Sequence, residues 1–202
     1  MVRSSSNPPI FWPQVVGSTL RIWKAASVAP RDTEIAKPIK LILSDVDGVL
    51  TDGLITIDNA GIESKSFYVR DGHAIRLWCN AGFHFGLLTA RNSQIVKIRA
   101  AELGITLVRQ GFAEKLPAAR EMIQQMGLEP SEVCYIGDDL PDLPVMHEVG
   151  LSATVADGAH EVRQAAKWVM NAPGGRGAIR ELVERLLKAK GRWEDFVPNR
   201  MT

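Results

Sequence analysis

Ile39-Lys40-Leu41-Ile42-Leu43-Ser44-Asp45-Val46-Asp47-Gly48-Val49-Leu50-Thr51-Asp52 is the stretch on which the reading of the fold turns. An apolar run, Ile39–Ser44, stops abruptly at acidic residues and a glycine. A short apolar run bounded by turn signals reads as a strand buried on both faces, as in a parallel sheet. Ligands of such sheets gather beyond the carboxyl ends of the strands, where Asp45 and Asp47 fall. Residues i and i+2 of an extended segment project to the same side, so the two carboxylates face one space.

Downstream, the strand signal alternates with helical periodicity. Leu54–Ile57 and Ser64–Val69 flank the turn-rich Asp58-Asn59-Ala60-Gly61 and predict a β-hairpin over 54–69. Asp71 is expected to cap a helix running to about Ala81 and closed by Gly82. His84–Leu88 reads as a strand, and Asn92 as the cap of a helix carrying Val96, Ala100 and Leu103 and ended by Gly104. Ile105–Val108 is a strand; Leu116, Ala119, Ile123 and Met126 mark a helix face; Glu132–Ile136 is a strand, followed by a short helix near Val145. Strands at about Leu151–Thr154 and Trp168–Met170 precede a last helix with Ile179, Leu182, Val183, Leu186 and Leu187 on one face. The alternation predicts the α/β class, a Rossmann-like parallel sheet flanked by helices.

Upstream, four prolines and a serine run (Ser4–Ser6) mark residues 1–37 as a partly disordered N-terminal extension, with a short helix around Val15–Ala26. The expected division is this extension, a domain over 38–190 and a C-terminal tail over 191–202. Totals of 24 basic and 23 acidic residues give no pull toward nucleic acid or membrane. No apolar run is long enough to cross a bilayer, and the first residues lack the apolar core of a signal peptide. Cys79 and Cys134, far apart in apolar segments, read as reduced core thiols of a cytoplasmic protein.

The strand ends carry the chemistry. Two close carboxylates repel unless a proton or cation stands between them, and a hard divalent ion such as Mg2+ takes oxygen ligands. By itself, Asp45/Asp47 is equally a pair of turn or capping residues. Thr89-Ala90-Arg91 after the second strand is a small anion site or a helix cap. Lys115 before the next helix is a solvated charge when considered singly. Gly137-Asp138-Asp139-Leu140-Pro141-Asp142 places three carboxylates directly after an apolar strand.

Taken in order, the acid pair, hydroxyl, ammonium and acidic cluster resemble the four motifs of the haloacid dehalogenase-like phosphohydrolases. The resemblance implies that Asp45 attacks phosphorus, Asp47 acts as acid and then base, and Thr89 and Lys115 hold the phosphoryl oxygens. It implies an Mg2+ site from Asp45, Asp47 through its backbone carbonyl, and Asp138, oriented by Asp139 and Asp142. Between Asp52 and Thr89 there is room for a hairpin and one helix, so a small hairpin stands in place of a cap domain.

Asp47–Gly53, Gly61–Gly72, Gln110-Gly111, Gly137–Met146 and Gly174–Glu181 are similar to the 3-deoxy-D-manno-octulosonate 8-phosphate phosphatases, over about residues 38–192. That family implies a homotetramer associated through the 54–69 hairpin, each site partly closed by a neighbour. It also implies that Asp47, Tyr68, Val69, Arg70, Asp71, Gly72, Arg76, Arg91, Arg99 and Lys115 contact a sugar-phosphate substrate. Arginine's planar fork suits both carboxylate and phosphate, whereas Arg99 also fits a solvated helix face and Arg70-Asp71 a surface ion pair. Arg176 is a further candidate to reach a site, and Gly174–Gly177 also reads as a flexible connection. Ala90 stands where the family commonly has glycine, a change without strain only if its φ is negative. The competing readings are a phosphatase for nine-carbon 2-keto acid phosphates (ketodeoxynononate or N-acylneuraminate 9-phosphate) and a non-catalytic oligomerisation or sugar-phosphate-binding module.

Overall fold

The structure, a computed structural model, describes residues 30–197. Strand β1 (Leu41–Ser44) lies in the middle of a six-stranded, all-parallel sheet. With β4 (His84–Thr89), β5 (Leu107–Gln110), β6 (Val133–Gly137), β7 (Leu151–Thr154) and β8 (Trp168–Val169), its order is β5-β4-β1-β6-β7-β8. Helices α1 (Pro30–Ala36), α2 (Val69–Asn80), α3 (Gln94–Leu103) and α7 (Ala178–Ala189) cover one face. Helices α4 (Lys115–Gln125), α5 (Leu143–Glu148) and α6 (His160–Ala165) cover the other. Alternate residues of β1 feed the two layers, Ile42 into the first and Leu41 and Leu43 into the second. The chain runs outward from β1 through β4 to β5, then crosses to β6 on β1's other side. The switch point is therefore the gap between β1 and β6, where open α/β sheets bind ligands.

The hairpin is shorter than its prediction. Strands β2 (Thr56–Ile57) and β3 (Glu63–Ser64) pair antiparallel, and Val69 already belongs to α2. Its turn is held by Asp58, whose Oδ1 accepts the N–H groups of Ala60 (2.9 Å) and Ile62 (2.8 Å). The folded body also extends beyond both expected boundaries. In α1, Asp32 accepts from Arg185 (2.6 Å) and from the Trp168 indole (3.1 Å), and Ala36 is buried in the core. At the other end Trp193 and Phe196 pack against the core, with Arg180 stacked on the Trp193 ring at 4.8 Å. The helix expected around Val15–Ala26 lies outside the described residues.

Two expected caps are corrected. The N-cap of α3 is Ser93, not Asn92, and its N–H is taken by Gln110 Oε1 at 2.7 Å. Asp71 does not cap α2; it lies within that helix, 1% exposed, and caps α7 instead. Its Oδ2 accepts the N–H of Gly177 at 3.1 Å and its Oδ1 that of Arg180 at 2.8 Å. Gly177, at the N-cap of α7, has no side chain to satisfy those donors, so a carboxylate from the packed neighbour does so. Burial pushes the Asp71 carboxyl up; the two N–H donors and nearby guanidinium charge oppose this. Asp71→Ala is expected to lower stability by about 2 kcal/mol, because two part-buried N–H groups lose a charged acceptor. Asp71→Asn should cost less. Urea denaturation of the two variants checks this, and an Asp71→Ala midpoint equal to wild type would show that the cap contributes nothing.

Candidate active site

Glycines let the two central strand ends meet. Gly48, just past β1, has φ +94°, and a Cβ there would lie 2.0 Å from Asp138 Oδ2 beyond β6. A Cβ on Gly137 would lie 2.3 Å from Asp142 Cγ. The late glycine run is packed rather than a free connection. The Gly175 N–H donates to Val49 O at 2.9 Å, and a Cβ on Gly174 would come within 1.9 Å of Gly48 O. Any side chain at Gly48, Gly137 or Gly174 forces the acidic loops apart.

Into this junction β1 brings Asp45 and Asp47, β4 brings Thr89, the start of α4 brings Lys115, and β6 brings Asp138, Asp139 and Asp142. Together with Ala90, Arg91 and Pro141 they line one cleft of about 190 Å3. Ala90 takes its place without strain, since among the described residues only glycines have positive φ. Thr89 Oγ1 accepts the N–H of Arg91 at 3.2 Å.

Lys115 is buried among the carboxylates. Its ammonium donates to Asp142 Oδ1 at 2.6 Å and lies 2.9 Å from Asp45 Oδ2. Burial alone would pull the ammonium's pKa down; Asp45 and Asp142 beside it carry it above the usual value. Asp142 is saturated: Oδ1 also takes the buried Tyr135 hydroxyl at 2.6 Å, and Oδ2 takes the N–H groups of Asp138 (2.9 Å) and Asp139 (3.1 Å). Desolvation raises the Tyr135 phenol well above its ordinary range, so it acts here as a donor. Asp139 caps its own turn by accepting from Leu140 N at 2.8 Å. Asp139 and Asp142 thus orient the loop.

Asp45, Asp138 and Asp142 each bring an oxygen within 4.8 Å of the others. With Asp142 fully engaged, Asp45 and Asp138 are the donors left for a cation, and Asp138 Oδ1 is buried without a partner. Burial raises the Asp45 carboxyl to about 6, against the pull of Lys115. Burial, reinforced by the Asp45 and Asp142 charges, raises Asp138 to about 8. An all-oxygen set that holds a proton until a cation displaces it fits a hard divalent ion.

The remaining expected substrate residues divide. Arg91 stands at the cleft, its guanidinium 2.9 Å from Glu63 Oε1 and 4.0 Å from Asp47 Oδ2. Val69, Gly72, Arg76 and Arg99 lie elsewhere, around a second cleft of about 240 Å3. There Arg76 donates to Glu102 O at 2.8 Å, Arg99 pairs with Glu102 Oε2 at 2.8 Å, and Arg99 Nε is buried without a partner. Asp71 serves α7 and forms no surface pair with the exposed Arg70. Tyr68 is the N-cap of α2 and, like Arg176, lies outside the lining of both clefts.

Two side chains at the site were not anticipated from the sequence. Glu63, at the start of β3, accepts from Arg91, which lowers its pKa, and from Ser93. Lys65, just after β3, pairs with Asp47 Oδ1. The signal was present in Glu63-Ser64-Lys65, where extended backbone sends both charges to one side. Nothing in the sequence says which side faces the cleft.

Residues 88–179 match the family described as haloacid dehalogenase-like hydrolase. The chain is 42% identical over 168 residues to the 3-deoxy-D-manno-octulosonate 8-phosphate phosphatase of Salmonella typhimurium, covering 83% of this chain and 89% of that one. The crystal structure of the same enzyme from Yersinia pestis superposes with a TM-score of 0.80 at 41% identity, over 82% of this chain and 89% of that one. The Moraxella catarrhalis phosphatase, crystallised with a magnesium ion, a phosphate ion and a KDO molecule, gives a TM-score of 0.80 at 39% identity, over 82% and 95% of the two chains.

The raised carboxyl values set the pH dependence of metal binding. At pH 7 a carboxyl near 8 is mostly protonated, so a cation must displace that proton. Mg2+ affinity is expected to rise with pH between 6 and 8, by up to about tenfold per unit for one proton released. Titration calorimetry in buffers of different ionisation enthalpy measures the release; pH-independent affinity would contradict it.

Proposed function

The chain belongs to the haloacid dehalogenase-like hydrolases, within the 3-deoxy-D-manno-octulosonate 8-phosphate phosphatase family, and on that premise we propose that it hydrolyses this eight-carbon sugar acid phosphate to the free sugar acid and phosphate. The observation that carries the proposal is the convergence of Asp45, Asp47, Thr89, Lys115 and Asp138 on one cleft. Asp45 attacks the phosphorus, the ester P–O bond breaks, and an aspartyl phosphate forms. Asp47 gives its proton to the departing sugar oxygen, then takes one from the water that cleaves the aspartyl phosphate. Thr89 and Lys115 hold the phosphoryl oxygens, and the ammonium offsets their charge. Mg2+ fits Asp45, Asp138 and the Asp47 carbonyl; when bound it offsets the like-charge repulsion between carboxylate and phosphate ester. Arg91 serves the anionic sugar. The setting is cytoplasmic.

Assembly completes the site in this reading. Leu54 (68% exposed), Ile55 (49%), Ile57 (59%) and Ile62 (62%) crowd apolar surface onto the small hairpin, a concentration typical of an interaction surface. In a homotetramer through these hairpins a neighbour partly closes each catalytic cleft, while Arg76 and Arg99 line the second cleft of the same chain. The unpartnered Arg99 Nε supports a bound anion there.

Phosphate release with Mg2+ from a panel of eight- and nine-carbon 2-keto sugar phosphates is expected to favour the eight-carbon ester. Asp45→Asn should remove turnover without unfolding the chain. Preference for a nine-carbon ester would move the assignment to that class, and no turnover of any ester by folded protein would refute it. For the assembly, Ile57→Ser with Ile62→Ser is expected to yield a smaller species by light scattering; an unchanged tetramer mass would place the interface elsewhere.

A further inference from the structure

Lys65 is a fully buried ammonium, with 0% of its side chain exposed, at the exit of β3. A buried charge is tolerated only when paired. Lys65 is paired with Asp47 Oδ1 and lies 3.4 Å from Glu63 Oε1. Glu63 in turn holds Arg91 at 2.9 Å and Ser93 Oγ at 3.0 Å, closing a cluster of two acidic and two basic side chains. The two oxygens of Asp47 are therefore unequal. Oδ1 is tied down, whereas Oδ2 is buried without a hydrogen-bond partner, the Arg91 Nε being 4.0 Å away.

We propose that Lys65 is a positioning residue for the proton-transfer step: by anchoring Asp47 Oδ1 it fixes the carboxyl's rotation and leaves Oδ2 as the oxygen that carries the proton. The inference rests on the phosphatase reading of the same site. A carboxyl just past a strand end turns freely about its side-chain torsions, and a general acid is effective only when its proton is aimed at the leaving oxygen. The anchor comes from the hairpin, so the seating of that element sets the aim of the acid. In the step itself the ester oxygen leaves phosphorus with the bonding pair and takes the Oδ2 proton; Lys65 gives up nothing.

The test separates aim from fold by the leaving group. An alkyl sugar phosphate releases a basic alkoxide that needs the proton, whereas p-nitrophenyl phosphate releases a stable phenolate that does not. The value of kcat/KM reports the half-reaction up to leaving-group departure. Lys65→Met is expected to lower kcat/KM for the sugar phosphate by about tenfold to a hundredfold, and that for the aryl ester by no more than about twofold. Equal losses on both esters would mean a merely structural or general binding role, and no loss on either would mean no role; both results overturn the proposal. If Lys65→Met does not fold, the same comparison with Lys65→Gln decides. A wild-type protein that turns over neither ester would refute the phosphatase reading itself, a distinguishable result.

Discussion

Three carboxylates drawn around one buried ammonium are the constraint on which this structure is built. Asp45, Asp138 and Asp142 bring oxygens within 4.8 Å of one another, and Lys115 pairs with two of them. One positive charge cannot balance three negative ones in a poorly solvated cleft. The burial that raises Asp45 to about 6 and Asp138 to about 8 expresses that shortfall. Asp142 has its hydrogen-bonding capacity taken up by Tyr135, Lys115 and two backbone N–H groups. The unmet need for positive charge thus falls on the two carboxylates that face the cleft. A divalent cation held by these two carboxylates would let a carboxylate approach an anionic ester.

The fold serves this crowding by removing side chains rather than adding contacts. Gly48, Gly137 and Gly174 stand where a single Cβ would collide with Asp138, Asp142 or the backbone of the first loop. Neighbouring elements supply what those glycines cannot, as when Asp71 of α2 caps α7 at Gly177. The Gly174–Gly177 run, with the look of a linker, packs closely beneath the β1 loop and joins α7 to the site.

The hairpin links the chemistry to the outer surface. It carries Glu63 and Lys65 onto Arg91 and Asp47, and beside its turn it exposes Ile57 and Ile62. An element of two short strands is marginal alone. Here its base is held by ion pairs at the cleft, while Ile57 and Ile62 beside its turn stay exposed.

The sequence by itself determined the α/β class, the order of strands and helices, and the motif residues, because strand and helix periodicity and the composition of strand ends are local properties. Asp45, Asp47, Thr89, Lys115 and the acidic loop were legible because each follows a strand or opens a helix. Only the tertiary structure decided that Asp71 caps a helix more than a hundred residues away, that α1 and Trp193–Phe196 belong to the folded body, and that Arg76 and Arg99 lie apart from Asp45. Lys65 makes the distinction plainest. Its spacing from Glu63 was readable, yet whether that face of the strand meets water or Asp47 depends on how the hairpin lies over the sheet. That is a matter of long-range packing, which no local pattern encodes.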